Sequence, residues 1–260
     1  MGREIDGKLR VANDSWGDFR FSVATDKIAG ISQREVYGFN PDINGTLELV
    51  WGTGGNFPYP TSAQTIYIVS TSADDDSAGT GIREVRVEYL NSSFETIFVD
   101  VELDGTNPVQ IGTDFFRVQD VRALQVGSVG SAVGTVTLYY GVSTTIATIF
   151  IGTNEARSCL FTIPAGYTGY ITGASISASK GGDLAFQLEY RDNSVANAPF
   201  VTGNQLDIYE QGIYFDLPTY YVVPERYDIR VRAYSLQSSN ISASCTYHLI
   251  LRNNRIYANN

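Results

Sequence analysis

Between residues 46 and 252 the chain alternates between apolar and polar residues with a period of two, the spacing of strands that bury one face. In residues 83–90, Val85, Val87 and Tyr89 share one face while charged side chains occupy the other. Turn sequences rich in Gly, Asn and Pro separate these segments, and no stretch of ten or more residues shows helical periodicity. The pattern predicts an all-β protein.

The strand signals fall into two sets, which predict two antiparallel β-sandwich domains in tandem, each resembling a jelly roll. The first covers residues 46–142 and the second covers residues 143–260. In residues 1–45 the apolar residues come singly or in short pairs, too few for a core, and residues 19–23 alternate like one isolated strand. We therefore predict that residues 1–45 form an extended N-terminal arm.

Composition narrows the choice of partners. The chain of 260 residues has 28 Asp and Glu against 18 Lys and Arg, a formal net charge of −10. This charge repels phosphate backbones, so we expect no nucleic-acid partner. The N-terminus has no apolar signal-peptide core, and no apolar run is long enough to span a membrane. We expect cytoplasmic synthesis and no membrane association.

Few residues suit catalysis. His248 is the only histidine and lies in a predicted strand, so a non-catalytic role is expected and we predict no enzymatic activity. Carboxylate pairs that could cleave glycosides stay open, because their separation cannot be read from the sequence. Cys159 and Cys245 are 86 residues apart. We expect two buried reduced thiols, although a single disulfide stays open if their strands meet.

Three consecutive aspartates, Asp74, Asp75 and Asp76, are the most plausible metal ligands, because carboxylates on a loop can coordinate Ca²⁺. Adjacent side chains point in different directions, however, and the spacing of an EF-hand loop is absent. We predict a solvated loop, with the three aspartates as weak candidates for an ion site. No cofactor is expected.

Aromatic residues are the strongest candidates for contacts with partners. The chain has 17 Tyr and 13 Phe, and several of them lie beside turns or between polar residues, which places them at a surface. A tyrosine offers a rigid apolar ring with a polar tip, which suits both protein interfaces and carbohydrate surfaces. The interface candidates are Trp16, Phe19, Phe21, Tyr209, Tyr214, Tyr220 and Tyr221.

Two motifs give the chain a family resemblance. Residues 72–81 read Ser-Ala-Asp-Asp-Asp-Ser-Ala-Gly-Thr-Gly, and residues 103–109 read Leu-Asp-Gly-Thr-Asn-Pro-Val. The chain resembles a group of virion structural proteins of tailed bacteriophages, common among marine and cyanobacterial phages, that share a Ser-Ala-x-Asp-x-x-Ala-Gly-Thr-Gly segment. The resemblance covers residues 51–252.

The resemblance implies a component of the virion, synthesised in the host cytoplasm, without catalytic residues. We expect a decoration or cement protein on the capsid exterior that binds the major capsid protein and copies of itself. Analogy with decoration proteins on local threefold axes favours a trimer. Two alternatives stay open: a tail or adsorption component that contacts host surface glycan, and a carbohydrate-binding or carbohydrate-active β-sandwich protein.

Overall fold

The computed structural model describes residues 4–5, 8–9, 19–25, 27–179, 182–209, 212–237 and 240–257, with the backbone alone for residues 4, 5, 8, 9, 19, 20 and 257. The elements in chain order are β1 (Glu4–Ile5), β2 (Lys8–Leu9), α1 (Phe19–Ala24), β3 (Ile31–Ile43), β4 (Glu48–Leu49), β5 (Gln64–Ser70), β6 (Ile82–Asn91), β7 (Thr96–Glu102), β8 (Val109–Val126), β9 (Val136–Tyr140), β10 (Thr144–Ile149), β11 (Leu160–Thr162), β12 (Tyr167–Ala178), β13 (Asp183–Asp192), β14 (Val201–Tyr209), β15 (Ile213–Val223), β16 (Tyr227–Ser235), β17 (Ile241–Asn253) and α2 (Asn254–Tyr257). The predicted all-β class, with antiparallel sheets in a sandwich, is confirmed.

Two sheets form a jelly roll. One has the strand order β15-β12-β17-β3, and the other has the order β14-β13-β16, with β4 and β11 both paired to the outer side of β16. Successive strands from β11 onward alternate between the two sheets, except for the β13–β14 hairpin. This is the arrangement of two interlocked Greek keys that defines a jelly roll.

The strand beside β16 is assembled from two distant pieces of chain. Leu49 pairs with Arg232 and Leu160 pairs with Arg230, so β4 and β11 continue one another along β16. Between them, the amide of Cys159 donates to the carbonyl of Val50 at 3.0 Å. Residues 51–158, called the insert below, therefore leave and re-enter the jelly roll in the middle of one strand.

The insert is a single six-stranded sheet, in the order β10-β9-β5-β8-β6-β7, that curls into a half-barrel. β8 makes the curl, because its first half pairs with β5 and its second half pairs with β6. The insert and the jelly roll bury separate apolar clusters. Leu49 and Leu160, at the crossing points, pack with the cluster of the insert.

The predicted arm is corrected by the pairing of β3. Such an arm is expected to dock on the rest of the chain or on a neighbour, but residues 31–43 form a full strand beside β17 and thus belong to the jelly roll itself. The sequence conceals this strand because its inward positions include Gly38 and Asn40 as well as Val36. Gly38 is required there, since a Cβ atom would lie 2.2 Å from the carbonyl oxygen of Val50.

Two further local predictions are corrected. Residues 19–24 form the short helix α1 instead of a strand, with Val23 buried. A six-residue segment with apolar residues at alternate positions is too short for its periodicity to decide between the two conformations.

Residues 144–149 form β10, which pairs with β9 in the insert, so the first unit extends past the predicted boundary at residue 142. The two units are thus nested, because the strand partners of β3 and β4 lie at the far end of the chain.

A buried ion pair joins the two units. Arg117 of the insert donates through Nε to Oδ1 of Asp228 on β16 at 2.9 Å, and both side chains are almost wholly buried. Arg191 on β13 pairs with the other carboxylate oxygen, and the hydroxyl of Thr162 donates to Oδ1 at 2.7 Å. Burial alone would raise the pKa of Asp228, but the two guanidinium groups outweigh it and lower that pKa.

Two further contacts fix the junction. The side-chain amide of Gln119 donates to the backbone carbonyl of Thr162 at 2.6 Å and accepts from the backbone amide of Thr162 at 2.9 Å. These are the two hydrogen bonds that a neighbouring strand would make with Thr162. Arg34 on β3 pairs with Glu88 on β6 at 2.8 Å. Burial raises the pKa of Glu88 despite this partner. The insert is therefore attached to the jelly roll by polar contacts along a whole side.

Candidate interaction surface

The jelly roll has one covered side and one open side. On the covered side, β3 and the composite strand β4/β11 lie next to the insert. On the other side, β14 and β15 end their sheets, and neither has a second strand partner among the residues that the structure describes. We call β14 and β15 together the open edge. An unpaired edge strand presents free backbone donors and acceptors, which makes it a template for association.

Four of the predicted interface residues lie on the open edge. Tyr209 ends β14, and Tyr214, Tyr220 and Tyr221 belong to β15. Tyr209 and Tyr214 are 67% and 61% exposed, which is unusual for side chains with so much apolar area. Tyr214 lies on the outer face of its sheet, with its ring 6.0 Å from that of His248. The structure thus brings together residues that the sequence singled out by their positions beside turns and polar residues.

Aliphatic residues on the same edge were not predicted. Val201, Ile213 and Val222 are all exposed and flank the tyrosines. Pro218 is the signal that could have revealed them, because proline within a strand marks an edge. The apolar run around residues 220–223 also breaks the two-residue alternation of a half-buried strand. In the part of the chain that the structure describes, the open edge therefore combines unpaired backbone with several exposed apolar side chains.

A bulge in β15 opens a groove between the two sheets. Pairing with β12 joins Gly173 to Asp216 and Ile171 to Tyr221, so residues 217–220 lie opposite the single residue Thr172. An apolar cavity of about 60 Å³ lies under this bulge, and a groove of about 250 Å³ adjoins it through the shared wall residues Ile171, Leu188 and Tyr221. The groove suits apolar side chains better than charged ligands.

Tyr247 contributes to the wall of the apolar cavity. Its hydroxyl is buried and has no hydrogen-bond partner among the described residues. Burial raises the pKa of this phenol far above its usual range, so it stays neutral. Its neighbours Cys159 and Cys245 are free buried thiols, and Cys159 donates to the carbonyl of Cys245 at 3.1 Å. Burial likewise raises the pKa of Cys159, which leaves it a poor nucleophile.

The aspartate loop, which contains Asp74, Asp75 and Asp76, is a turn held by hydrogen bonds. Asp75 is fully buried, and its carboxylate accepts hydrogen bonds from the hydroxyl of Ser70 at 2.6 Å and from the amides of Ile82, Val133 and Gly134 at 2.8, 3.0 and 2.7 Å. A carboxylate with four donors has little capacity left for a cation. The two neighbouring carboxylates are separate from it: Asp76 accepts from the amide of Ala78, and Asp74 is exposed.

The remaining predicted interface residues lie partly within and partly outside the residues that the structure describes. Trp16 lies outside the described residues, and Phe19 is described only by its backbone in α1. Phe21 is 40% exposed on that helix, with the ammonium of Lys27 5.5 Å from its ring centre. His248 Nδ1 lies 3.5 Å from a carboxylate oxygen of Glu35. Within the described ranges, no group of three His, Cys, Asp or Glu residues could hold a metal ion.

Comparison with known proteins gives no assignment. No family model and no curated protein matches this chain. Among solved structures, the VP2 subviral particle of infectious bursal disease virus aligns with a TM-score of 0.22 at 11% identity, covering 87% of this chain and 73% of that one. The T=1 particles derived from the same virus align with a TM-score of 0.21 at 12% identity, covering 85% and 69%. TM-scores this low establish neither a common fold nor a common function.

The helices that the structure describes are both short. Neither α1 nor α2 has the length and apolar character needed to cross a bilayer.

Proposed function

We propose that this chain is a non-enzymatic structural protein of a bacteriophage virion, bound to the capsid exterior, where it holds coat subunits and copies of itself through the open edge. The observation that carries the proposal is the asymmetry of the jelly roll. One side is covered by the insert, while the other exposes Tyr209, Tyr214 and Ile213 on strands that have no outer partner within the described ranges.

The open edge supports association because unprotected edges are rare in proteins that stay monomeric. Natural edge strands are usually shortened, charged or covered. Here β14 and β15 span residues 201–209 and 213–223. Most exposed side chains of β15 are aromatic or aliphatic, and β14 adds Val201 and Tyr209 among polar residues. Pairing with another chain would satisfy the backbone and remove apolar area from water. A jelly roll by itself is compatible with many functions, so the proposal rests on this surface.

Charge favours the jelly roll over the insert as the contact between copies. Residues 51–158 contain 12 Asp and Glu against five Arg and no Lys, so they carry most of the net charge of −10. Two inserts would repel one another, whereas the rest of the chain is closer to neutral. The resemblance of residues 51–252 to tailed-phage virion proteins supports the role as a virion component.

The test is the location and copy number of the chain in purified particles. Cryo-electron microscopy should place its density on the capsid shell, with the open edge against a neighbouring subunit. Quantitative mass spectrometry should give hundreds of copies per particle, in line with capsid symmetry. Roughly six to eighteen copies would instead indicate a tail component, and absence from the particle would overturn the proposal.

A further inference from the structure

A second cavity lies at the junction of the two units, away from the open edge. It has a volume of about 310 Å³, within the range of small-molecule sites. Its floor includes Arg117 and Arg191, its sides include Tyr59 and Phe116, and residues 192–198 form its rim. Both units therefore contribute to it, and the buried ion pair to Asp228 holds its floor in place.

Arg191 is the incompletely paired group in this cavity. Its Nε and Nη2 atoms bond Asp228, but its Nη1 atom has no hydrogen-bond partner among the described residues. The guanidinium carbon lies 4.4 Å from the ring centroids of both Tyr59 and Phe200, and an aromatic ring does not accept from N–H groups as a carboxylate does. The side chain is 19% exposed and lines the cavity, so a ligand there can reach the Nη1 donors.

The surroundings of Arg191 carry a local excess of positive charge. Among the described residues, four guanidinium groups, those of Arg117, Arg191, Arg230 and Arg232, share two buried carboxylates, Asp228 and Glu189, and Asp192 lies at the rim. In a chain with a net charge of −10, this is a distinct local reversal of sign. An anion at the cavity would complete the pairing of Arg191 and offset the excess.

The rim limits the kind of anion. Asp192 lines the cavity as a carboxylate whose pKa is lowered by hydrogen bonds from Ser194, so it would repel a ligand with more than one negative charge. The same carboxylate can accept a hydroxyl group, and Asn193 and Asn197 add further polar groups at the rim. Val195, Ala196 and Ala198 provide apolar contact.

We propose that this junction cavity binds an acidic saccharide unit with a single carboxylate, a hexuronate, with the carboxylate on Arg191 and the hydroxyl groups toward Asp192 and the asparagines. The cavity is larger than an inorganic ion needs. Its rim has both polar and apolar residues, which suit the hydroxyl groups and the C–H face of a sugar ring. The site is independent of the open edge, so a capsid or a tail location is equally compatible with it.

The test measures binding of defined sugars to the full chain by isothermal titration calorimetry and saturation-transfer NMR. Glucuronate and galacturonate should bind at least tenfold more tightly than glucose, which lacks the carboxylate, and than acetate, which lacks the ring. Glucose 6-phosphate and sulfate should bind more weakly than the uronates, because Asp192 disfavours a dianion. Equal affinity for glucose, or stronger binding of sulfate or acetate, would overturn the proposal, as would no uronate binding at millimolar concentration.

Two variants locate the site. Arg191→Lys keeps a positive charge near Asp228 but removes the Nη1 donors, so the uronate affinity should fall at least tenfold. Ala196→Trp fills the cavity from the exposed rim, leaves the three charged residues of the ion pair unchanged, and should have the same effect in a fully folded protein. The matched control is Ala78→Trp, at an exposed position in the aspartate loop. Unchanged uronate affinity in the folded Ala196→Trp variant would exclude this cavity.

Discussion

At the scale of single residues, the most informative side chain is Asp75. It occupies the aspartate position of the Ser-Ala-x-Asp-x-x-Ala-Gly-Thr-Gly segment, and its role in the structure is to hold three separate pieces of chain together. A Cβ atom on Gly81 would lie 2.0 Å from Oδ1 of Asp75, which explains a glycine at that position of the motif. The second motif packs on the first, since the amide of Gly105 donates to the Asp75 carbonyl at 2.9 Å. Both motifs are therefore explained by folding.

Replacing Asp75 should destabilise the protein far more than replacing its neighbour. In Asp75→Asn the new amide group faces backbone donors, so we expect the free energy of unfolding to fall by about 2–4 kcal/mol. The control Asp74→Asn changes an exposed carboxylate and should stay within about 0.5 kcal/mol of wild type. Urea denaturation followed by tryptophan fluorescence measures both. An equal small effect for the two variants would show that the four donors are satisfied by water.

The buried ion pair makes stability depend on pH. Because the pKa of Asp228 is lower in the folded state than in the unfolded chain, its contribution is present at neutral pH and is lost as the pH falls through the folded-state pKa. Asp228→Asn should therefore cost about 3–5 kcal/mol at pH 7. The gap to wild type should begin to narrow below about pH 4, where Asp228 of the unfolded chain becomes protonated, and should close as the pH falls through the lower folded-state pKa.

Asp100→Asn is the matched control for Asp228→Asn. Asp100 pairs with Arg86 at the surface, where water screens the charges, so its loss should change stability little at either pH. Chemical denaturation from pH 3 to pH 7 gives the comparison. A gap between Asp228→Asn and wild type that stays constant over this range would contradict the assignment of the pair.

At the scale of elements, the composite strand β4/β11 is the central feature. Its two pieces are too short to hold a place in a sheet by themselves, but they lie end to end along β16. Val50 and Cys159, the jelly-roll residues on either side of the insert, are hydrogen-bonded to one another. Removal of the insert therefore leaves almost no gap in the strand. Domains whose termini lie close together tolerate insertion and excision because the host chain is not stretched.

Excision of the insert should leave a folded jelly roll. Joining Val50 to Cys159 through two glycines should give a protein with β-type circular dichroism and a cooperative thermal transition. We expect a loss of roughly 3–5 kcal/mol, because Asp228 would lack Arg117. Residues 51–158 expressed alone provide the complementary sample, whose own buried cluster should also fold. An excised chain without a cooperative transition would show that the jelly roll core depends on the insert.

At the scale of the whole molecule, the position of the insert decides which surface is available. It occupies one side of the jelly roll and carries most of the negative charge, which leaves the open edge as the surface for close contact. Removing aromatic anchors from such an edge should weaken self-association strongly, because a few buried aromatic residues dominate most interfaces.

The triple variant Tyr209→Ser, Ile213→Ser, Tyr214→Ser should weaken self-association at least tenfold in sedimentation velocity, since each tenfold step corresponds to about 1.4 kcal/mol. The control pair Phe98→Ser and Val142→Ser changes exposed apolar residues of the insert and should have no effect. Added salt should strengthen wild-type association by screening the acidic inserts. Association that survives in the triple variant would place the contact elsewhere.

Some of this protein follows from the sequence alone. The alternation of apolar and polar residues determines the all-β class and most strand positions, because it reflects the local geometry of a pleated chain with one buried face. Positions beside turns and polar residues also singled out four tyrosines that are exposed on the open edge. These features depend only on neighbouring residues.

Only the tertiary structure decided which strands pair. Residues 31–43 pair with β17, Leu49 and Leu160 belong to one composite strand, and Arg117 contacts Asp228. All of these contacts join residues that lie tens to hundreds of positions apart in the chain. Any strand with the right alternation can pair with many others, and the choice is made by the packing and hydrogen bonding of the whole chain. The nesting of the units, the open edge and the junction cavity all follow from that choice.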